Sequence, residues 1–186
     1  MSRITHRWGK KIVQHWAIAL SLLGLTTACG NPNLPTGSGE LNSRYNDEQP
    51  SLSGDGRFLS FVSNRNGISQ ILIYDLERQR FVEVTGLNKN GALAQSPSLS
   101  RTGRYIVYLV NEAGRPQIAL YDRAIQRSQI LSQNYRSWVR NPQISPDGRY
   151  IVFESARRGQ WDIEVLDRGP RVELDVRDGT PVRNFQ

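Results

Sequence analysis

Histidine, cysteine and lysine are scarce in this chain of 186 residues, and the scarcity of the first two excludes some chemistry. The two histidines, His6 and His15, lie in a basic amino-terminal segment, and Cys29 is the single cysteine. Without histidine or a free thiol further along, the chain lacks the side chains of a Ser-His-Asp triad, a Cys-His nucleophile or a common zinc site. We therefore predict that it is not an enzyme and has no catalytic residues, no metal site and no cofactor.

The formal charge of +7 is concentrated at the amino terminus. The first 28 residues contain four basic residues and no acidic one, so the remainder carries 20 basic and 17 acidic residues. A basic surface for nucleic acid needs cationic side chains in excess over a whole domain. The sequence therefore predicts no nucleic-acid partner.

Residues 1–28 have the three parts of a secretory signal peptide. A positive stretch from Arg3 to Lys11 precedes an apolar stretch from Trp16 to Leu25, and small residues follow at Thr26-Thr27-Ala28. A transmembrane helix needs about 20 apolar residues, more than this run supplies. Export is the prediction, and a retained membrane anchor is the alternative.

Cys29 follows Leu25-Thr26-Thr27-Ala28 directly, an arrangement that resembles the lipobox of bacterial lipoproteins. The resemblance implies that Cys29 is lipidated and holds the protein on a membrane of the cell envelope, facing the periplasm. Gly30, rather than Asp, follows the cysteine and favours the outer membrane. An ordinary signal peptide with an incidental cysteine is the alternative. Residues 29–49, rich in Gly, Pro, Asn and Ser, are predicted to form a flexible tether.

Residues 50–186 contain three internal repeats, of about 50–96, 97–141 and 142–186. Glycines and aspartates recur at steps of 47 and 45 residues: Gly56, Gly103 and Gly148, then Asp75, Asp122 and Asp167. Each repeat contains a run rich in β-branched and aromatic residues after its glycine, at Phe58–Val62, Tyr105–Val110 and Tyr150–Phe153. Such runs are typical of strands buried on both faces.

Further β-prone stretches follow each run, ending in the third repeat at Val172–Val176, and a short strand precedes each repeat's first proline. Together they predict about four strands in every repeat. Four-stranded units at this period are typical of a β-propeller, whose blades stack on one another. The predicted fold is all-β, a partial β-propeller of three four-stranded antiparallel blades.

The third repeat carries the most specific motif, Ser145-Pro-Asp-Gly-Arg-Tyr-Ile-Val-Phe153 followed by Trp161-Asp-Ile-Glu-Val-Leu-Asp167. It resembles the repeat of the TolB-type β-propeller family, and residues 50–176 share the pattern more loosely. The second repeat departs from it, with Arg101 and Thr102 in place of Pro146 and Asp147. The resemblance implies a protein-interaction platform in the cell envelope and a ring of six blades.

Three blades are fewer than a closed propeller needs. Two copies could form a six-bladed homodimer, the tether could cap an open wedge, or blades of another protein could complete the ring. These three alternatives stay open at the level of sequence.

Arginine outnumbers lysine 19 to one after the leader, and Arg and Trp are typical of binding hot spots. The candidate partner-binding residues are those least like the repeat pattern: Arg136, Trp138, Arg140, Arg157, Arg158 and Trp161. Arg57, Arg104 and Arg149 recur in every repeat, which favours local pairing beside the turns.

The predicted function is a cell-envelope lipoprotein that binds a protein partner or acts as a scaffold through its blades. The alternative is a carbohydrate-binding or carbohydrate-active propeller. That alternative would depend on Asp162 and Glu164, which share one face of a strand while Asp167 lies on the other.

Overall fold

The computed structural model describes residues 40–88, 92–111 and 114–176. The chain divides into two compact units, Met1–Asn31 and Pro32–Gln186, and all described residues belong to the second. The predicted signal peptide and Cys29 therefore lie outside the described residues. Within the described residues, no helix is long and apolar enough to cross a membrane.

The described residues form three antiparallel sheets, one for each sequence repeat. The first sheet contains β1 Asp47–Leu52, β2 Phe58–Ser63, β3 Gln70–Asp75 and β4 Arg80–Val82. The second contains β5 Leu93–Leu99, β6 Tyr105–Asn111, β7 Pro116–Asp122 and β8 Arg127–Ile130, and the third contains β9 Val139–Ile144, β10 Tyr150–Ser155 and β11 Asp162–Asp167. Strands that are consecutive in sequence pair with each other, so each sheet is a simple meander, called here the first, second and third blade.

Two predicted boundaries differ from the structure. The first strand begins at Asp47, within the segment predicted to be a tether. Residues 172–176, predicted as the last strand of the third repeat, form no strand, so the described part of the third blade has three strands. Backbone groups of this segment form hydrogen bonds with Tyr105 and Asp147 instead, as described below.

The first strand of every blade is bulged at its proline. Gln49, Ser96 and Asn141 precede the three prolines and take φ angles of 55°, 51° and 50°. The pairing register with the next strand shifts at the same places. Proline has no N–H to donate to the ladder, so the bulge lets the strand continue past it.

The core lies between the blades, because the sheets pack face to face. One cluster joins the first and second blades and contains Ile71, Ile73, Ile106 and Tyr108. A second cluster joins the second and third blades and contains Ile118, Leu120, Ile151 and Phe153. The first strands of neighbouring blades also contact each other, β1 with β5 and β5 with β9.

The prediction of burial on both faces is confirmed for β2 and β6 and is wrong for β10. In β10 the side chains alternate, with Ile151 and Phe153 buried and Tyr150 and Val152 exposed. The reason is position in the array: the third blade packs on the second with one face only, within the described residues.

Candidate interaction surface of the third blade

The arginine that recurs in every repeat has a structural partner. Arg57, Arg104 and Arg149 pair with Asp75, Asp122 and Asp167 at N–O distances of 2.8, 3.2 and 2.9 Å. Each guanidinium also lies over the ring of the next residue, at 4.8, 5.0 and 4.9 Å from the centroid. These arginines fasten the turn before each central strand to the following strand, in agreement with the local pairing predicted.

In the first and second blades, the aromatic residue after this arginine is covered by the next blade. Arg123 of the second blade lies 4.1 Å from the centroid of Phe58, and Arg168 of the third lies 4.3 Å from that of Tyr105. A Cβ added at Gly148 would overlap the Tyr105 ring, so the glycine turn of the third blade fits closely against this ring. Tyr150, the corresponding residue of the third blade, is 37% exposed.

The outer face of the third blade is apolar and exposed. Ile163 and Val165 on β11 are 72% and 61% exposed, whereas the equivalent Ile118 and Leu120 of the second blade are 1% and 2% exposed. Val152 faces Val165 across the β10–β11 pair and is exposed as well. We name this surface the open face; its residues are Tyr150, Val152, Trp161, Ile163 and Val165.

Two of the six candidate residues lie together at the end of the open face. The Arg140 guanidinium lies 3.9 Å from the centroid of Trp161, which is exposed. Arg140 Nε also donates to Glu154 Oε2 at 2.6 Å. Hydrogen bonds from Asn141 and Arg140 lower the pKa of Glu154, so the ion pair persists in mild acid. A guanidinium stacked on an exposed indole is a typical element of a protein interface.

The other candidates lie away from that pair. Arg136 and Arg157 line a shallow groove with Asn134, Tyr135 and Ser137. Arg157 pairs with Glu164 at 3.4 Å, and Arg158 pairs with Asp162 at 2.9 Å within the β10–β11 turn. Trp138 is exposed just before β9. The six residues therefore do not form a single site: Arg140 and Trp161 lie at the open face, and Arg136 and Arg157 line the groove.

The carboxylates considered for carbohydrate chemistry are both paired with arginine. Asp162 and Glu164 lie opposite Ser155 and Phe153 in the ladder, on the face away from Tyr150, while Asp167 lies opposite Tyr150, as predicted. Hydrogen bonds from Arg158 and Gln160 lower the pKa of Asp162, which therefore stays ionised instead of acting as a general acid. Among the described residues, no group of three or more His, Cys, Asp or Glu could hold a metal ion.

Sequence reasoning missed the apolar members of the open face, Tyr150, Val152, Ile163 and Val165. Their residue types match those buried in the first two repeats, so the local pattern gives no sign of exposure. The available signal was their place in the third repeat, because a unit at the end of a stacked array packs against a neighbour with one face only.

Three antiparallel meanders packed face to face, with bulged first strands side by side, define an incomplete β-propeller. The profile of the TolB beta propeller domain matches residues 40–181. The chain belongs to that family.

Solved structures show the same fold at low sequence identity. TolB from Acinetobacter baumannii superposes with a TM-score of 0.60 at 23% identity, covering 70% of this chain and 32% of that one. An Agrobacterium tumefaciens protein described as a TolB gives a TM-score of 0.51 at 23% identity, covering 72% of this chain and 47% of the other. A Mycobacterium tuberculosis puromycin-hydrolyzing peptidase gives 0.51 at 15% identity, over 70% of this chain and 20% of its own.

This chain therefore spans less than half the length of the structures it matches. No curated protein matched it.

Proposed function

We propose that this protein is a binding module of the cell envelope that docks a partner protein on the open face of its third blade. The observation that carries the proposal is the exposure of Ile163 and Val165, whose equivalents in the second blade are buried by the next blade. Burying an exposed aliphatic side chain contributes about 1.5–3 kcal/mol, so covering the open face favours association.

The contact between the second and third blades supports a proposal for the chemistry of the partner. Inside the chain, the equivalent face of the second blade is covered by an apolar sheet that contributes Val139, Ile151 and Phe153. A glycine turn and the Arg168 guanidinium cover the tyrosine at its end. A partner that presents an apolar sheet face, a glycine turn opposite Tyr150 and a cation over its ring would repeat this contact. We therefore propose that the occupant is a blade-like sheet.

The covered outer face of the first blade favours a different protein, rather than a second copy of this chain, as the partner. On the outer face of the first blade, Phe61, Leu72 and Tyr74 are buried, with Leu41 packed against this cluster. The Arg65 guanidinium lies over the Phe61 ring, and its Nη2 donates to the Leu41 carbonyl at 2.9 Å. A six-bladed ring of two copies would have to displace these contacts. Homodimerisation is therefore the alternative outcome of the test.

A photoreactive residue on the open face tests the proposal. We would place benzoylphenylalanine at position 163 of the full chain in living cells, with position 125 as the matched control. Ile125 is also highly exposed but lies in the β7–β8 turn of the second blade. The expected result is one cross-linked protein at position 163 and none at 125.

The captured protein would then be identified, purified and titrated directly. Loss of one hot-spot contact costs about 2 kcal/mol or more, so Val165→Lys is expected to weaken binding at least tenfold. A cross-link to a second copy of this chain would support the homodimer. Absence of a cross-link specific to position 163, or unchanged affinity of Val165→Lys, would overturn the proposal.

We also propose that the chain is exported, lipidated at Cys29 and anchored to the envelope on the periplasmic side, with the outer membrane as its location. This rests on the leader and on the resemblance of residues 25–29 to a lipobox. Acyl chains hold a protein on a membrane in proportion to their buried methylene groups. Radiolabelled palmitate is expected to label the chain in cells and to be absent from Cys29→Ser. Equal labelling of the two would contradict the anchor.

A further inference from the structure

The turn before the central strand contains a carboxylate in two of the three blades. In the first blade Ser53 Oγ and the Arg57 N–H donate to Asp55 Oδ1 at 2.6 and 3.0 Å. In the third blade Ser145 Oγ and the Arg149 N–H donate to Asp147 Oδ1 at 2.5 and 3.0 Å. The carboxylate thus satisfies the serine hydroxyl and a backbone donor at the turn.

The second blade has Thr102 at this place and receives its carboxylate from elsewhere in the chain. Ser100 Oγ and the Thr102 N–H donate to Asp175 Oδ2 at 2.6 and 2.7 Å. Thr102 Oγ1 donates to Asp175 Oδ1 at 2.6 Å. Ser100 and Asp175 are both almost fully buried. Three donors therefore hold a carboxylate that lies 73 residues away in sequence.

A second carboxylate of the same segment is bound beside it. Arg104 pairs with Glu173 at 2.6 Å, in addition to its own partner Asp122. The Tyr105 hydroxyl donates to the Glu173 carbonyl at 2.6 Å, and the Asp175 N–H donates to the Asp147 carbonyl at 2.8 Å. The hydrogen bond from Arg104 lowers the pKa of Glu173, so this carboxylate is charged at neutral pH.

We propose that the turn of the second blade is a binding site for an acidic peptide segment with two carboxylates two residues apart, and that residues 173–175 are its resident ligand. The donors are Ser100, Thr102 and Arg104. The ligand class follows from them, because a guanidinium and a cluster of hydroxyl and amide donors select carboxylates. An acidic segment of a partner protein with the same spacing would exchange with residues 173–175.

The resident segment is held in a way that permits exchange. Residues 172–176 join no sheet, and side-chain contacts provide most of the attachment described above. Segments without a strand ladder open at lower free energy than the blades themselves. The resident segment and its site belong to one chain, so the segment has a high effective concentration at the site. While it is bound, it therefore competes strongly with added ligand.

The experiment uses a labelled peptide of residues 171–176, Arg-Val-Glu-Leu-Asp-Val, as the probe. Its host is the full chain with Glu173→Gln and Asp175→Asn, in which the resident segment has lost both carboxylates. We expect saturable binding of the probe to this host. Binding to the unmodified chain, whose site is occupied, is expected to be weaker by about tenfold or more. A peptide with Asn at the aspartate position is the negative control.

Thr102→Asp, added to the same host, is the matched control for the site. It restores the Ser-x-Asp turn of the first and third blades, so its own carboxylate fills the donors and probe binding is expected to be lost. Circular dichroism verifies that each host is folded. Absence of saturable binding, or equal binding with and without Thr102→Asp, would overturn the proposal.

Trypsin provides a second readout that needs no peptide. Asp175→Asn is expected to increase cleavage after Arg171 severalfold, because the segment is released from its site. Unchanged cleavage would also overturn the proposal. The site lies on the second blade, so its failure would leave the open face and the proposed function unaffected.

Discussion

At the scale of single residues, Gly148 both forms the turn of its own blade and packs against the neighbouring blade. Gly148 has a φ of 79°, which favours glycine, and its Cα approaches the Tyr105 ring of the neighbouring blade so closely that a methyl group would overlap it. Gly159 has a similar φ of 82°, but no atom of the described residues lies within 4 Å of an added Cβ. The two positions separate backbone strain from packing between blades.

Gly148→Ala is therefore expected to destabilise the protein more than Gly159→Ala. The left-handed backbone costs about 1 kcal/mol at both positions. Overlap with Tyr105 adds about 1–3 kcal/mol at Gly148 only. Urea unfolding of both variants measures the difference. Equal losses would show that the Tyr105 ring moves aside freely.

Asp47 makes the fold sensitive to acid. Burial by itself raises the pKa of this carboxyl, but hydrogen bonds from Ser63, Arg65 and Ser43 outweigh it and lower the pKa to about 2. A group with a lowered folded-state pKa stabilises the fold above its unfolded pKa of about 4, and this stabilisation is lost as the pH falls towards 2.

The free energy of unfolding is thus expected to fall between about pH 4 and pH 2, and to fall less steeply in Asp47→Asn. Glu48→Gln, at the exposed neighbouring position, is the matched control and is expected to behave like the unmodified chain. Unfolding at a series of pH values measures both slopes. An Asp47→Asn variant with the unmodified slope would contradict the assignment.

At the scale of elements, neighbouring strands of the third blade carry the same side chain in opposite environments. Ile151 on β10 is fully buried against the second blade, and Ile163 on β11 is mostly exposed on the open face. The same truncation at the two positions therefore reports which face of the blade is covered.

Ile151→Ala is expected to cost about 2–5 kcal/mol, through lost burial and the cavity that remains. Ile163→Ala is expected to change the free energy of unfolding by less than about 0.5 kcal/mol, as exposed substitutions do. Thermal or urea unfolding of the isolated chain measures both. A comparable loss at Ile163 would mean that the open face is already covered.

At the scale of the whole molecule, the outer faces of the first and third blades differ in exposure. The first blade is covered by Leu41 and Arg65, whereas the third blade exposes Tyr150, Ile163 and Val165. A ring closed by two copies would join one end to the other and needs both to be free.

The full chain is therefore expected to scatter light as a single copy of 21.1 kDa over a range of concentrations. A stable mass of two copies would contradict this and support the composite six-bladed ring. A rise in mass that Val165→Lys abolishes would place the contact between copies on the open face.

The features that repeat along the chain could be predicted from local sequence patterns. The spacing of Gly56, Gly103 and Gly148 located the three blades, and the β-prone runs after these glycines located the central strands β2, β6 and β10. The arginine and aspartate of each blade lie 18 residues apart, and their pairing was predictable as a local one. Short-range patterns of this kind follow from strand periodicity and turn chemistry, which neighbouring residues fix.

The exposure of side chains at the ends of the array depends on contacts between blades, which local patterns do not predict. Ile118 and Ile163 occupy the same place in their repeats, and their exposure differs because one blade has a neighbour on that face and the other has none among the described residues. Asp175 replaces the carboxylate that Thr102 cannot supply, across 73 residues that carry no periodic signal of the contact. Burial and long-range hydrogen bonds depend on which elements meet in space, and local sequence does not encode that.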